Sequence, residues 1–299
     1  VRGEQSALSP RGPEAELLHG LTWLLSLGGA VIFLLTMLLL VLALTGRARW
    51  LASPRVMVML GAVLPTIVLI ALFAHSTGIV SALGRVVGAP LVIEVVARQF
   101  WWEVRYPEQG IVTANEIRLP VGRQAELRVT SPDVIHALWI PALHGKIDMI
   151  PGRENRLRLT AGEAGTWRGQ CAEFCGSQHT LMALFAVAQP PAEFEAWAAR
   201  QRAAPVPESA GRAVFARAGC GACHTVRGTE FSGRIGPDLT LIGTRQSLGA
   251  GTLENHRDTL LQWVSSPQRV KPGNAMPDFR GVLSDDELRE VAEWLENLR

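Results

Sequence analysis

Cysteine is scarce in this chain: there are four in 299 residues, all in two short motifs. None is left over for a separate disulfide framework. Excess charge is lacking as well. The formal net charge is +2, too little to hold nucleic acid by general attraction to its phosphates. No charged side chain falls between Gly20 and Gly46. The chain starts at Val1 rather than Met and carries no signal-peptide pattern, which suits a leader already removed. Its length is enough for about two domains.

The uncharged run is long enough to cross a bilayer, which takes about 20 residues. A buried core helix so long and so apolar would be unusual. Residues 1–19 ahead of it read as an exposed N-terminal segment. Residues 20–46 are the first expected span, 47–55 a loop and 56–80 a second span. Pro65 lies inside the second span, where membrane bundles tolerate a kink. Arg47, Arg49 and Arg55 put the loop on the cytoplasmic side by the positive-inside rule, and everything after Gly78 outside.

The richest stretch is Cys171-Ala172-Glu173-Phe174-Cys175-Gly176-Ser177-Gln178-His179-Thr180-Leu181-Met182. Soft sulfur ligands with imidazole favour copper, zinc or iron–sulfur centres. A mononuclear blue-copper loop needs one Cys, one His and a weak axial Met, and Cys175, His179 and Met182 supply that set. Cys171 is then an extra thiolate, economically used as a bridge to a second copper, for which His136 offers an imidazole. A disulfide between the two Cys and a structural zinc site, which would have no use for the Met, remain open on the residues alone.

The loop resembles the binuclear copper-A loop of cytochrome c oxidase subunit II. Upstream stretches match that family too: Pro132-Asp133-Val134-Ile135-His136, Trp139-Ile140-Pro141, Lys146-Ile147-Asp148 and Ile150-Pro151-Gly152-Arg153. The resemblance runs from the N-terminus to about Gln189. It implies that Cys171 and Cys175 bridge two copper ions, with His136 on one and His179 on the other. Met182 and the backbone carbonyl of Glu173 would be weak ligands, one to each. It also implies a magnesium or manganese ion shared with subunit I through the Glu173 side chain. One feature departs from the family: where many members carry Glu seven residues before the helix proline, near a proton-uptake channel, this chain has Val58. A Trp often found nearby is replaced by Gly61.

Residues 88–189 form the next expected unit. Stretches 91–96, 126–129, 156–159 and 184–187 read as short strands, and Gly and Pro punctuate them. Such spacing suggests a sandwich or barrel. The resemblance makes it an all-β cupredoxin-like Greek-key barrel with the copper loop at one end. It also implies an aromatic patch near copper, Phe100, Trp101 and Trp102, where electrons arrive from cytochrome c. Phe100 stands where the family usually has Trp.

Residues 190–209 read as a short helix and a Pro-bearing linker, and 210–299 as a last domain. Cys220-Gly221-Ala222-Cys223-His224 is the attachment motif of c-type haem: two thiols for the vinyl groups and His224 for one axial position. The stretch Gly236-Pro237-Asp238-Leu239 resembles the loop whose Pro carbonyl orients the axial His in class I cytochromes c. The opposite ligand should be Met or His. Met276 is the expected one and His256 the less favoured alternative. A capping box from Ser284 to Glu287 opens a final helix, whose Leu288, Val291, Ala292, Leu295 and Leu298 make one apolar stripe.

Taken together, the chain resembles subunit II of a caa-type haem–copper oxidase: a two-helix transmembrane hairpin, an all-β copper-A barrel and a fused all-α cytochrome c domain. The resemblance implies electron transfer from haem to copper-A and on to haem a in subunit I, where dioxygen is reduced. No residue of this chain then needs to be an acid, base or nucleophile. Implied partners are subunits I and III and an upstream cytochrome bc complex or soluble cytochrome c. The implied setting is a bacterial inner membrane, with both metal domains on the periplasmic side. A copper-A donor subunit of a nitric oxide reductase, and a membrane-anchored copper-delivery or thiol redox protein, are the alternatives.

Overall fold

The structure, a computed structural model, describes residues 3–203 and 206–299. It has two compact units: 14–85, and the segment up to residue 13 together with 86–299.

In the first unit, α1 (Pro13–Leu44) has 32 residues, about 48 Å at 1.5 Å per residue. It starts ahead of the expected span because a Pro followed by Glu14 and Glu16 in the first turn makes a good helix N-terminus. Helix α2 (Pro54–Leu83) has 30 residues. Within it Met59–Val63 forms a π-turn, and the Leu64 N–H reaches back to the Met59 carbonyl. Pro65 has no N–H to give, and a wider turn just before it absorbs the lost bond. Phe33, Leu34, Ile70 and Phe73 stand exposed on these helices, the reverse of a soluble core helix. The pair is a membrane anchor by length, composition and exposure.

The segment expected to be exposed over 1–19 does carry exposed residues, Glu4, Gln5, Ala7 and Leu8 among them, but it is also bonded to the barrel. Arg168 donates its N–H to the Glu4 carbonyl at 3.0 Å, Arg11 to Ala142 at 2.7 Å and Gly162 to Arg11 at 2.8 Å. The segment is thus a strap bonded to the barrel, because backbone groups brought beside a barrel edge pair with it. From Pro13 onward the chain is helix. Val1 and Arg2 lie outside the described residues.

The second unit begins with a cupredoxin-like β domain. Its strands are β1 (Leu91–Arg98), β2 (Trp101–Tyr106), β3 (Ile111–Ala114), β4 (Glu116–Pro120), β5 (Ala125–Thr130), β6 (His136–Trp139), β7 (Ile147–Met149), β8 (Asn155–Leu159), β9 (Gly165–Cys171) and β10 (Ala183–Gln189). One sheet runs β3-β2-β1-β5-β8 and the other β4-β10-β9-β6-β7. Strict alternation on β1 turns Leu91, Ile93, Val95 and Ala97 inward. Each fully buried Leu or Ile contributes roughly 1.5–3 kcal/mol. Sequence patterning missed β4 because it is buried on both faces, which erases the alternation that marks a half-buried strand. Tyr106 joins the two sheets: its hydroxyl accepts the Arg118 N–H at 2.6 Å and donates to the Arg118 carbonyl at 3.1 Å. Helix α3 (Pro191–Ala203) covers it with Phe194 and Trp197.

The C-terminal domain is helical. Helix α4 (Ala210–Arg217) crosses the last helix, Asp285–Glu296, so closely that a Cβ on Gly211 would fall 2.0 Å from the Glu290 carbonyl oxygen. Phe215 and Trp294 meet there with ring centroids 5.0 Å apart. The final helix carries the expected capping box, and Leu288, Val291, Ala292, Leu295 and Leu298 are all buried. Val206 packs on this core and the Pro207 carbonyl accepts the Trp294 indole N–H at 3.0 Å. The linker expected at 203–209 is therefore no free tether from Val206 on. Ala203 ends α3, and Ala204 and Pro205 lie outside the described residues.

Candidate functional site

Strand β9 delivers Cys171 and β10 resumes after Met182, so the loop between them is closed by the sheet itself. The Cys171 N–H donates to the Met182 carbonyl at 2.9 Å. Pairing of β6 with β9 sets Leu138 opposite Cys171 and brings His136, distant in sequence, to the same rim. Cys171 Sγ lies 3.8 Å from His136 Nδ1 and 3.2 Å from the Glu173 carbonyl oxygen. Cys175 Sγ lies 3.7 Å from His179 Nδ1 and 4.0 Å from Met182 Sδ. The two sulfurs are 3.8 Å apart, far beyond the roughly 2.05 Å of a disulfide. Two thiolates each about 2.3 Å from a shared tetrahedral metal stand about this far apart. Six donors, five of them sulfur or imidazole and all gathered about the two Cys, fit a pair of soft metal ions.

The surroundings prepare the donors. Asp133 Oδ1 holds His136 Nε2 at 2.9 Å, leaving Nδ1 to face the thiols. Burial opposes protonation of His136, but Cys171 and Asp133 outweigh it and hold the imidazole above its usual value. The hydrogen bond between the two thiols holds Cys171 well below its usual range, and the same bond, together with burial, pushes Cys175 up in return. Gln99 ties the site to β1: its N–H donates to Asp133 Oδ2 at 2.8 Å and its amide to the Cys175 carbonyl at 2.6 Å. The Glu173 carboxylate turns outward, 3.5 Å from Lys146 Nζ.

The three-residue aromatic patch needs correction. Successive strand residues face opposite sides. Trp102 is therefore wholly buried in the barrel core, its ring 6.4 Å from that of His136. Phe100 and Trp101 face the C-terminal domain and line a cavity of about 370 Å³.

That cavity is also lined by Cys220, Cys223, His224 and Met276. His224 Nδ1 lies 2.8 Å from the Pro237 carbonyl oxygen, which fixes the ring and leaves Nε2 for a ligand. Burial lowers the His224 pKa, so the imidazole is neutral and able to bind a metal. His256 is exposed at the start of α5 (Arg257–Ser265) and does not line the cavity. Arg245 Nε and Ser247 Oγ, on the cavity wall, are buried and have no hydrogen-bond partner among the described residues. A largely apolar group with an acidic edge, as haem has, would answer both. The residues present fit it.

A protein-family model described as "Cytochrome C oxidase subunit II, periplasmic domain" matches residues 109–188, and one described as "Cytochrome c" matches 208–299. Cytochrome c oxidase subunit 2 of Alkalihalophilus pseudofirmus is 36% identical over 213 residues, 69% of this chain and 61% of that protein. The chain belongs to the cytochrome c oxidase subunit II family, with a cytochrome c domain fused behind it. Subunit 2 of Bacillus subtilis is 32% identical over 230 residues, 72% of this chain and 64% of the relative. This subunit II chain thus spans about three fifths of the length of the curated relatives it matches. The solved periplasmic domain of subunit II from Bradyrhizobium japonicum is 31% identical, covers 40% of this chain and 98% of its own, and has a TM-score of 0.38.

The six donors expected from the sequence lie together on one rim, whereas Gln99, Gln178, Arg245 and Lys271 had no expected role. Gln178 sits in the copper loop but between its donors, and the other three sit in no motif. Only Asp133 carried a signal, as the residue three before His136 in a quoted stretch.

Proposed function

We propose that the chain is the electron-transfer subunit of a respiratory haem–copper oxidase, taking electrons at a covalent haem and passing them through copper-A toward haem a of subunit I. The observation that carries this reading is the shared wall: Phe100, Trp101 and Gln178 of the copper domain line the same cavity as Cys220, Cys223, His224 and Met276. Cys220 and Cys223 would attach the haem, with His224 and Met276 as axial ligands. Cys171 and Cys175 would bridge two coppers, completed by His136, His179, Met182 and the Glu173 carbonyl. When bound, the two centres each supply one-electron redox chemistry. The residues keep the donors still: β6, β9 and β10 hold His136 and the two ends of the loop over 171–182, and Asp133 and the Pro237 carbonyl orient the His136 and His224 rings. Ligands that do not move keep the cost of changing oxidation state small. No acid, base or nucleophile is required.

The outward Glu173 carboxylate suits a magnesium or manganese ion at the border with subunit I. The three Arg of the loop between the helices favour a cytoplasmic loop, with both metal domains on the periplasmic face of a bacterial inner membrane. Subunit III and an upstream cytochrome bc complex or soluble cytochrome c would complete the chain of partners.

Metal analysis and haem staining of the purified protein should give two coppers and one covalent haem. Flash reduction of the haem should be followed by copper reduction at a rate independent of protein concentration. A chain with one copper, or with transfer that scales with concentration, would refute the relay. Turnover of dioxygen but not nitric oxide by the assembled complex separates the oxidase from a nitric oxide reductase.

A further inference from the structure

The copper loop and the loop bearing Met276 touch through buried polar groups. Gln178, next to His179, is wholly buried. Its side-chain amide donates to the Pro272 carbonyl at 2.8 Å and to the Lys271 carbonyl at 3.1 Å. The Lys271 carbonyl also accepts from Asn274 Nδ2 at 2.7 Å, and Asn274 Oδ1 accepts the Met276 N–H at 2.7 Å. Bonded groups therefore run without a gap from Met276 to His179. On the other side, Lys271 is one of two lysines in the chain and is 2% exposed. Its Nζ donates to the Phe100 carbonyl at 3.0 Å. Phe100 in turn lies against Gly176, where a Cβ would stand 3.1 Å from the ring.

Burying an ammonium and a primary amide is costly unless each is bonded, and the barrel core has no need of either. Gln178 Oε1 is buried with no hydrogen-bond partner among the described residues. The donor end of the amide, aimed at the other domain, is therefore what sets its orientation.

We propose that Gln178 and Lys271 are positioning residues that lock the Met276 loop onto the copper loop in one register. The interface then acts as a fixed electron contact rather than as an encounter between tethered domains. This rests on the relay reading and adds the residues that set the rate. One electron lost at the haem is one gained at the copper pair; no bond of the contact breaks and no proton crosses it.

The test uses the full chain in its assembled oxidase, loaded with copper and haem. Gln178→Leu keeps volume and removes both donated bonds. Lys271→Met keeps the stem and removes the ammonium, and it lies outside the copper loop should Gln178→Leu disturb the copper spectrum. Haem-to-copper transfer is timed after a reducing flash, in buffers of graded viscosity, with copper and haem absorption recorded alongside. In the unmodified chain the rate should not depend on viscosity. Leaving a buried partner unbonded should cost roughly 5- to 150-fold in the docked population. Both variants should then transfer more slowly and depend on viscosity, with both spectra intact. Wild-type rates without viscosity dependence in Lys271→Met and in the double variant would overturn the proposal. Absence of concentration-independent transfer in the unmodified chain would instead overturn the relay reading.

Discussion

Asp133→Ala probes how the barrel prepares a metal ligand. Asp133 Oδ1 accepts from His136 Nε2 at 2.9 Å, from the Val134 N–H at 2.7 Å and from the Ser131 hydroxyl at 3.0 Å. Oδ2 accepts the Gln99 N–H at 2.8 Å. Truncation to Ala frees the His136 ring to turn and strips the acceptor from two backbone donors and a hydroxyl. Removing a partner behind a metal-binding His costs about 10- to 100-fold in metal affinity, roughly 1.4–2.7 kcal/mol. The Ala variant should fall at the upper end, because Gln99 also bonds the Cys175 carbonyl and its main chain would shift. Asp133→Asn keeps an acceptor and should fall at the lower end. The assay is copper retained per chain during dialysis against graded chelator, with thermal melting to show that the barrel is folded. If Asp133→Ala keeps copper as well as the parent, the carboxylate does not orient a ligand and the assignment of His136 fails.

Further outcomes are expected elsewhere. Cys171→Ser or Cys175→Ser should abolish the two-copper spectrum, since a hydroxyl is a hard, weak ligand for copper. Met182→Ala should keep both coppers and change only the potential. Met276→Ala should lower the haem potential, whereas His256→Ala, at an exposed helix start outside the cavity, should leave the haem spectrum unchanged. Gly211→Ala should lower the melting temperature of the cytochrome domain: its Cβ meets Glu290 backbone at 2.0 Å, and overpacking of this kind costs about 1–3 kcal/mol. Glu126 is partly desolvated, but Arg158, at 2.7 Å, and Arg128 outweigh that and hold its carboxyl below the ordinary 4.5. Its contribution is complete above about pH 4.5 and is lost as pH falls through the lower folded value. Acid unfolding of the barrel should therefore be shallower in Glu126→Gln.

The sequence by itself determined what lies close along the chain. Cys171, Cys175, His179 and Met182 share one loop, so covalent spacing alone brings them together, and the haem thiols and His224 are contiguous. The two long helices and the final capping box were legible for the same reason, since each is a local pattern of charge, apolarity or capping. The tertiary structure decided everything that depends on which surfaces meet. His136 reaches the thiols only because β6 pairs with β9. Trp101 and Trp102 part company because a strand turns neighbours to opposite faces, and the N-terminal segment is held because a barrel edge has donors and acceptors to spare. Lys271 and Arg245 belong to no motif, and Gln178 sits in the copper loop without being one of its donors. Their meaning comes from burial, and burial is set by domains packing across more than ninety residues of sequence, a relation that no local pattern encodes.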